Sequence, residues 1–347
     1  MNSLESTRTQ VFAVFPGQGS QHVGMAKDLY DNFSLVKDVF EEASEAIHID
    51  LKKLCFDGTE ADLLLTENTQ PCLLVSSIAA FKVAQNETGF RPDAVAGHSL
   101  GEYSALVAAE SIDLASATRW VRERGIAMQR AVPAGEGTMA AILGLEDSEV
   151  DELCKQATLS AQEKRKTQEN SISIPALVEP ANFNAPSQVV IAGSTDAVQE
   201  AIELLKANEK WSRGKAIPLQ VSAPFHCQLM KAPRSRMVEL FSLASAAQRP
   251  RTPFCPYVPN RTGRLSREAS LVFELLADQV DHAVLWKQSV STLLAADYLT
   301  AFEFGPGKVL SGLIKRIASQ EGKKCVPTSV NDVASVKGLA KFLETQK

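Results

Sequence analysis

Histidine is scarce in this chain: five in 347 residues, at His22, His48, His98, His226 and His282. Chemistry that needs a base at neutral pH has few places to find one. The six cysteines (Cys55, Cys72, Cys154, Cys227, Cys255 and Cys325) are scattered, without a Cys-x-x-Cys pair or a metal-ligand spacing. Neither a metal site nor a disulfide framework is expected, and the thiols read as reduced. No apolar run approaches a membrane span, and the opening residues, Met-Asn-Ser-Leu-Glu-Ser-Thr-Arg, hold no apolar signal core, so a cytoplasmic protein with no membrane partner is expected. Positive charge is not in excess: the net charge of -5 argues against nucleic acid or an anionic membrane as a partner. No internal repeat and no linker separates independent domains. The hydrophobic share of 45% and charged share of 22% are those of a soluble globular protein, long enough for one large domain carrying a smaller insert.

What is present is organised around Ala94-Val-Ala-Gly97-His98-Ser99-Leu100-Gly101-Glu102, followed by the helical run Tyr103–Ala109. A short apolar strand, Gly-x-Ser-x-Gly and a helix form a sharp turn that lifts a serine hydroxyl above the end of a sheet. The N–H of Leu100 sits at the positive end of the following helix, placed to bind an oxyanion. A purely structural, glycine-lined turn is the other reading of the same residues. Upstream, the wholly apolar Val11–Phe15 reads as a strand buried on both faces, and Pro16-Gly-Gln18-Gly-Ser-Gln21 as a tight loop at its end. The loop's spacing fits neither Gly-x-Gly-x-x-Gly nor a P-loop, which leaves a loop donating an N–H to an active site, or a structural turn.

Alternating strands and helices imply a parallel sheet with sites at the strands' carboxyl ends. Pro71 is placed for the first turn of a helix running to about Asn86. The Leu114–Ala131 helix carries Arg119, Arg122, Arg124 and Arg130, by default a solvated face, but Gly125 beside Arg124 permits close approach by another segment. From Thr138 the order becomes βαββαβ, the ferredoxin-like pattern. Its strands are expected at Met139–Leu143, Ile174–Phe183, Gln188–Ala192 and Lys215–Val221. Its helices are expected at Asp147–Cys154 and from Ser194 through Leu205, with the polar tract Ser160–Ser171 as a solvated loop. An α/β core over residues 1–137 and 221–347, with an inserted subdomain over 138–220, is the expected division. His98 is poorly placed as a base, since neighbouring strand residues point to opposite faces. His226, on a loop pinned by Pro224 beyond a strand, is the best-placed histidine, against the blander reading of a satisfied structural residue.

Taken together, Pro16-Gly-Gln-Gly-Ser-Gln21, Gly97-His-Ser-Leu-Gly-Glu102, Arg124-Gly125, Asn182-Phe-Asn-Ala-Pro-Ser-Gln-Val-Val-Ile-Ala-Gly193, Ser222-Ala-Pro-Phe-His226 and Gly305-Pro-Gly-Lys-Val-Leu310 resemble the malonyl-CoA:acyl carrier protein transacylases of fatty acid synthesis. The resemblance runs from Val11 to about Ile317. It implies a hydrolase-like α/β core with a ferredoxin-like insert, and ping-pong transfer of malonyl from malonyl-CoA to the phosphopantetheine thiol of acyl carrier protein. Ser99 would be the nucleophile, His226 the base, Gln18 and Leu100 the backbone oxyanion donors, and Arg124 the receptor for the malonyl carboxylate. No metal or other cofactor is implied. The histidine would be oriented by a main-chain carbonyl near Leu285, and Cys227 stands where serine is frequent. The carrier would be acidic, which makes Lys287, Lys308 and Lys315 candidates for its docking rim. A trans-acting acyltransferase of polyketide synthesis, a serine acyl hydrolase on the same core, and a non-catalytic carrier-docking module are the rival functions. Arg124 speaks against the hydrolase, and an intact Ser99 and His226 against the docking module.

Overall fold

The computed structural model describes residues 9–167, 172–221 and 223–346. Residues 1–8, the end of the polar tract at 168–171, and Ser222 of the histidine motif lie outside the described residues. Five parallel strands form the larger sheet in the order β7-β2-β1-β8-β9: β1 Val11–Phe15, β2 Ala94–Gly97, β7 Tyr257–Val258, β8 Thr300–Phe304 and β9 Val326–Val330. The central β1 is apolar at every position because helices cover both faces of the sheet. Phe15, Phe81, Phe90 and Phe304 meet beside it as stacked, tilted and edge-on ring pairs. Register decides what the sheet delivers. Phe15 lies opposite Gly97 and Val14 opposite Glu303, so the loops after β1, β2 and β8 emerge side by side at the carboxyl end.

The smaller sheet is antiparallel, in the order β4-β5-β3-β6: β3 Gly137–Leu143, β4 Val178–Ala185, β5 Gln188–Ser194 and β6 Lys215–Pro218. With the helices Asp147–Thr167 and Thr195–Ala207 it makes the ferredoxin-like arrangement. Its strands obey the two-residue period. Met139 and Ala141 face the main core, while Ala140 and Ile142 pack under the two helices. The edge strand β4 is stitched to the larger unit, with Phe183 N–H donating to Val284 C=O and Val284 N–H to Ala181 C=O, both at 2.9 Å.

Three expectations change. The helix expected to end near Cys154 runs on to Thr167, so residues 160–167 of the polar tract are helical. Arg165 pairs with Asp196, Lys164 with Glu200, and Ala161 is buried beneath them, which anchors a turn whose composition alone reads as loop. The helix expected to begin at Pro71 begins at Thr66 and runs to Thr88. Proline there leaves the Glu67 carbonyl without its helical donor, and Arg122 Nη1 fills the vacancy at 2.7 Å. The strands expected at Ile174 and through Val221 are shorter, at Val178–Ala185 and Lys215–Pro218.

Candidate active site

Ser99 sits between β2 and the Gly101–Ala108 helix with a φ of 53°, in the left-handed region that side chains resist. The flanking glycines allow this turn. A Cβ on Gly97 would collide with the Gly101 carbonyl, and one on Gly101 with the carbonyl of Phe15. Asn260, fully buried just beyond β7, clamps the turn from both sides. Its Oδ1 accepts the Ser99 N–H at 2.6 Å and its Nδ2 donates to Gly97 C=O at 2.6 Å.

The hydroxyl meets two groups brought from far along the chain. Ser99 Oγ lies 2.7 Å from His226 Nε2, and Arg124 Nη2 donates to the same oxygen at 3.1 Å. His226 Nδ1 is 2.6 Å from the Gln279 carbonyl, which can only accept. Nδ1 therefore carries the proton, and Nε2 is left bare to accept from serine. Burial, and then the charge of Arg124, push the imidazole down to about 3, so it is neutral across the physiological range.

Arg124 is 1% exposed, and among the described residues no carboxylate lies within ion-pair distance of it. Two amide oxygens hold the guanidinium instead: Gln70 Oε1 at 2.7 Å and Gln279 Oε1 at 2.9 Å. The close approach foreseen at Gly125 is that of the Thr66–Thr88 helix, whose Glu67 Cα would stand 2.7 Å from a Cβ there. That contact brings Gln70 within reach. Arg119 is exposed, as a solvated face predicts, with its Nε on the Ala46 carbonyl, whereas the half-buried Arg122 binds the Glu67 carbonyl.

Gln18 and Leu100 line the same cavity of about 300 Å³ as Ser99, His226 and Arg124. Neither backbone N–H has an acceptor among the described residues, whereas Gly101 N–H and Glu102 N–H bond to His98 and Ser99 carbonyls. A larger groove of about 720 Å³ lies behind His226, against the Asp147–Thr167 helix, but neither Ser99 nor Arg124 reaches it.

Comparison with known proteins decides the family. The acyl transferase domain model matches residues 11–345. The chain belongs to the acyl transferase family. The acyltransferase is 42% identical over 310 residues to the malonyl CoA-acyl carrier protein transacylase of Escherichia coli, covering 89% of this chain and 93% of that one. It is 41% identical over 309 residues to the protein of the same name from Bacillus subtilis, covering 89% and 90%. A solved malonyl-transacylase in complex with its type II PKS acyl-carrier protein superposes with a TM-score of 0.85 at 38% identity, covering 96% of this chain and 99% of that one.

Several residues that shape the acyltransferase site were not singled out in its sequence. Gln279, Gln70 and Asn260 act through amide groups and carry no motif of their own; only the position of Asn260, shortly after an apolar run, hints at a strand end. The carbonyl that orients His226 belongs to Gln279, not to a residue near Leu285. Leu285 starts a helix, and its carbonyl is taken by the N–H and hydroxyl of Ser289 at 2.9 and 2.8 Å. His98 turns to Asn184 Oδ1 at 2.8 Å, and Cys227 is buried with its thiol on the Pro224 carbonyl. Of the three lysines expected at a docking rim, Lys308 and Lys315 are exposed, while Lys287 is engaged by Asp147. Among the described residues no group of three or more His, Cys, Asp or Glu side chains could hold a metal ion, and no helix is long and apolar enough to cross a membrane.

Proposed function

We propose that this chain transfers malonyl from malonyl-CoA to the phosphopantetheine thiol of an acyl carrier protein in fatty acid synthesis, through a malonyl ester of Ser99. Ser99 gives its proton to His226 Nε2 as its oxygen attacks the thioester carbon. The oxyanion forms against the N–H groups of Gln18 and Leu100. Its collapse breaks the carbon–sulfur bond, and the departing coenzyme A sulfur takes the proton from His226. The carrier thiol then gives its proton to the same nitrogen, attacks the ester, and Ser99 recovers a proton as it leaves. On this reading the serine–histidine pair does the chemistry with no metal or redox cofactor, and the protein works in the cytoplasm, which its six unpaired cysteines suit.

The observation that carries the reading is Arg124, a buried cation with no carboxylate within ion-pair distance among the described residues, 3.1 Å from the serine oxygen. A malonyl carboxylate supplies the missing partner through a bidentate pair. Burial is the larger reason that His226 is weakly basic and the Arg124 charge the smaller; a malonyl carboxylate offsets the second, so a charged acyl group strengthens the base that activates the serine. A hydrolase of neutral esters has no use for such a cation. Arg124→Ala should slow serine acylation from malonyl-CoA by about two orders of magnitude, the cost of abandoning a buried charge pair, and acylation from acetyl-CoA far less. An unchanged ratio of the two rates removes Arg124 as the carboxylate receptor. Incubating the wild type with malonyl-CoA and holo carrier protein should add one malonyl mass to the carrier; release of free malonate instead identifies a hydrolase.

A further inference from the structure

Glu102 is the second residue of the helix that follows the nucleophile turn, 1% exposed and without a role in the chemistry above. Its two oxygens are unequal. Oε2 accepts the Asn260 backbone N–H at 3.1 Å and Gln279 Nε2 at 3.0 Å, whereas Oε1 has no partner among the described residues. Gln279, also fully buried, is the branch point of the site. Its Nε2 faces two acceptors, Glu102 Oε2 and the Ser99 carbonyl at 3.2 Å, and its Oε1 faces Arg124 Nη2 at 2.9 Å. Reversing that amide would set oxygen against two oxygens and NH₂ against a guanidinium, which has no lone pair to offer. Carboxylate, amide and guanidinium thus form one chain, Glu102–Gln279–Arg124, that ends at the serine hydroxyl.

We propose that Glu102 is a positioning residue for acyl-group recognition: it fixes which way the Gln279 amide faces, and that amide's oxygen holds Arg124 in place across from Ser99. The inference rests on the reading of Arg124 as carboxylate receptor. Amides hold the guanidinium without neutralising it, and the carboxylate that orients one of those amides stands one residue further back. The device needs an acceptor rather than a charge. Burial raises the Glu102 carboxyl to about 8, against the pull of the Asn260 N–H, Arg124, Gln279 and Arg261. A proton added there goes to the unpartnered Oε1, so Oε2 keeps both of its donors in either state.

The test is the ratio of single-turnover acylation rates from malonyl-CoA and acetyl-CoA. Glu102→Leu removes the acceptor, and the ratio should fall roughly tenfold, the scale of one hydrogen bond to a charged group. Glu102→Gln, which can present an oxygen to the same two donors, should restore the wild-type ratio. Gln279→Leu keeps the backbone carbonyl on His226 and removes only the amide. It should reproduce the fall, and the double variant Glu102→Leu with Gln279→Leu should be no worse than either alone. Thermal melts identify variants that fail to fold, and the Gln279→Leu pair of measurements then carries the test. Equal slowing of both donors in Glu102→Leu overturns the proposal, as does a Glu102→Gln ratio as low as that of Glu102→Leu. Loss of the preference in Arg124→Ala but not in Glu102→Leu overturns this proposal alone; no malonyl preference in the wild type overturns the functional reading beneath it.

Discussion

Two strand–glycine–helix joints flank the central strand at the same end of the larger sheet, and they are finished differently. After β2 the positive φ falls on Ser99, at 53°; after β8 it falls on Gly305 and Gly307, at 125° and 81°. Each joint also holds a buried glutamate. Glu303 turns onto the helix that follows it, accepting the N–H groups of Leu310 and Ser311 at 3.0 and 2.7 Å and closing that helix start. Glu102 turns away from its own helix start toward Asn260 and Gln279, and the Leu100 N–H has no acceptor among the described residues. One joint is sealed for stability. The other keeps a strained serine and a free donor, the two things an acyl-transfer site has to preserve.

The comparison can be broken at several points. Ser99→Ala should abolish the covalent malonyl adduct in an intact-mass measurement; an adduct elsewhere on the variant would move the nucleophile. His226→Ala should slow acylation by about 10²–10⁴-fold in a variant that still unfolds in one cooperative transition. The wild-type acylation rate from acetyl-CoA, which brings no carboxylate to Arg124, should stay level as pH falls through 6.5, because the buried imidazole is held down to about 3. Arg124→Ala withdraws the positive charge that opposes protonation, so the acid limb measured with acetyl-CoA should move to higher pH. At the sealed joint, Gly305→Ala puts a Cβ against the Ser77 hydroxyl in a backbone region closed to alanine. It should lose about 2 kcal/mol in urea unfolding while the folded fraction still acylates. The smallest effect is the most specific. Ser99→Gly should be about 1 kcal/mol more stable than Ser99→Ala, since both lose the hydroxyl and only alanine keeps the left-handed strain. Equal stabilities would mean that the turn stores none.

The element order and the strand–turn–helix joint that carries Ser99 were legible in the sequence because they sit in local patterns. The apolar Val11–Phe15, the glycines around Ser99 and the βαββαβ alternation each depend on residues close in the chain. What was not legible is what depends on partners far away. Gln70 and Gln279 approach Arg124 across 54 and 155 residues, and amides in a helix or loop look alike whether they face water or a guanidinium. The helical turns at 160–167 are held by Asp196 and Glu200 on another helix, which polar composition does not reveal. The orienting carbonyl was misplaced to the neighbourhood of Leu285 because a backbone group is chemically the same at every residue, and only the fold says which one is spare.

The stitch between β4 and Val284 has a consequence for how this site can change over generations. Asn182, on the cavity wall, lies between the two residues whose backbones make those bonds, Ala181 and Phe183. The distance between the two units at that point is therefore written into main-chain pairing rather than into side chains. Substitutions at the inward-facing Met128, Met139 or Phe225 can reshape the floor and walls of the cavity while its frame stays put. New acyl preferences are reachable by single side-chain replacements, without first re-inventing the frame that holds serine, histidine and arginine together.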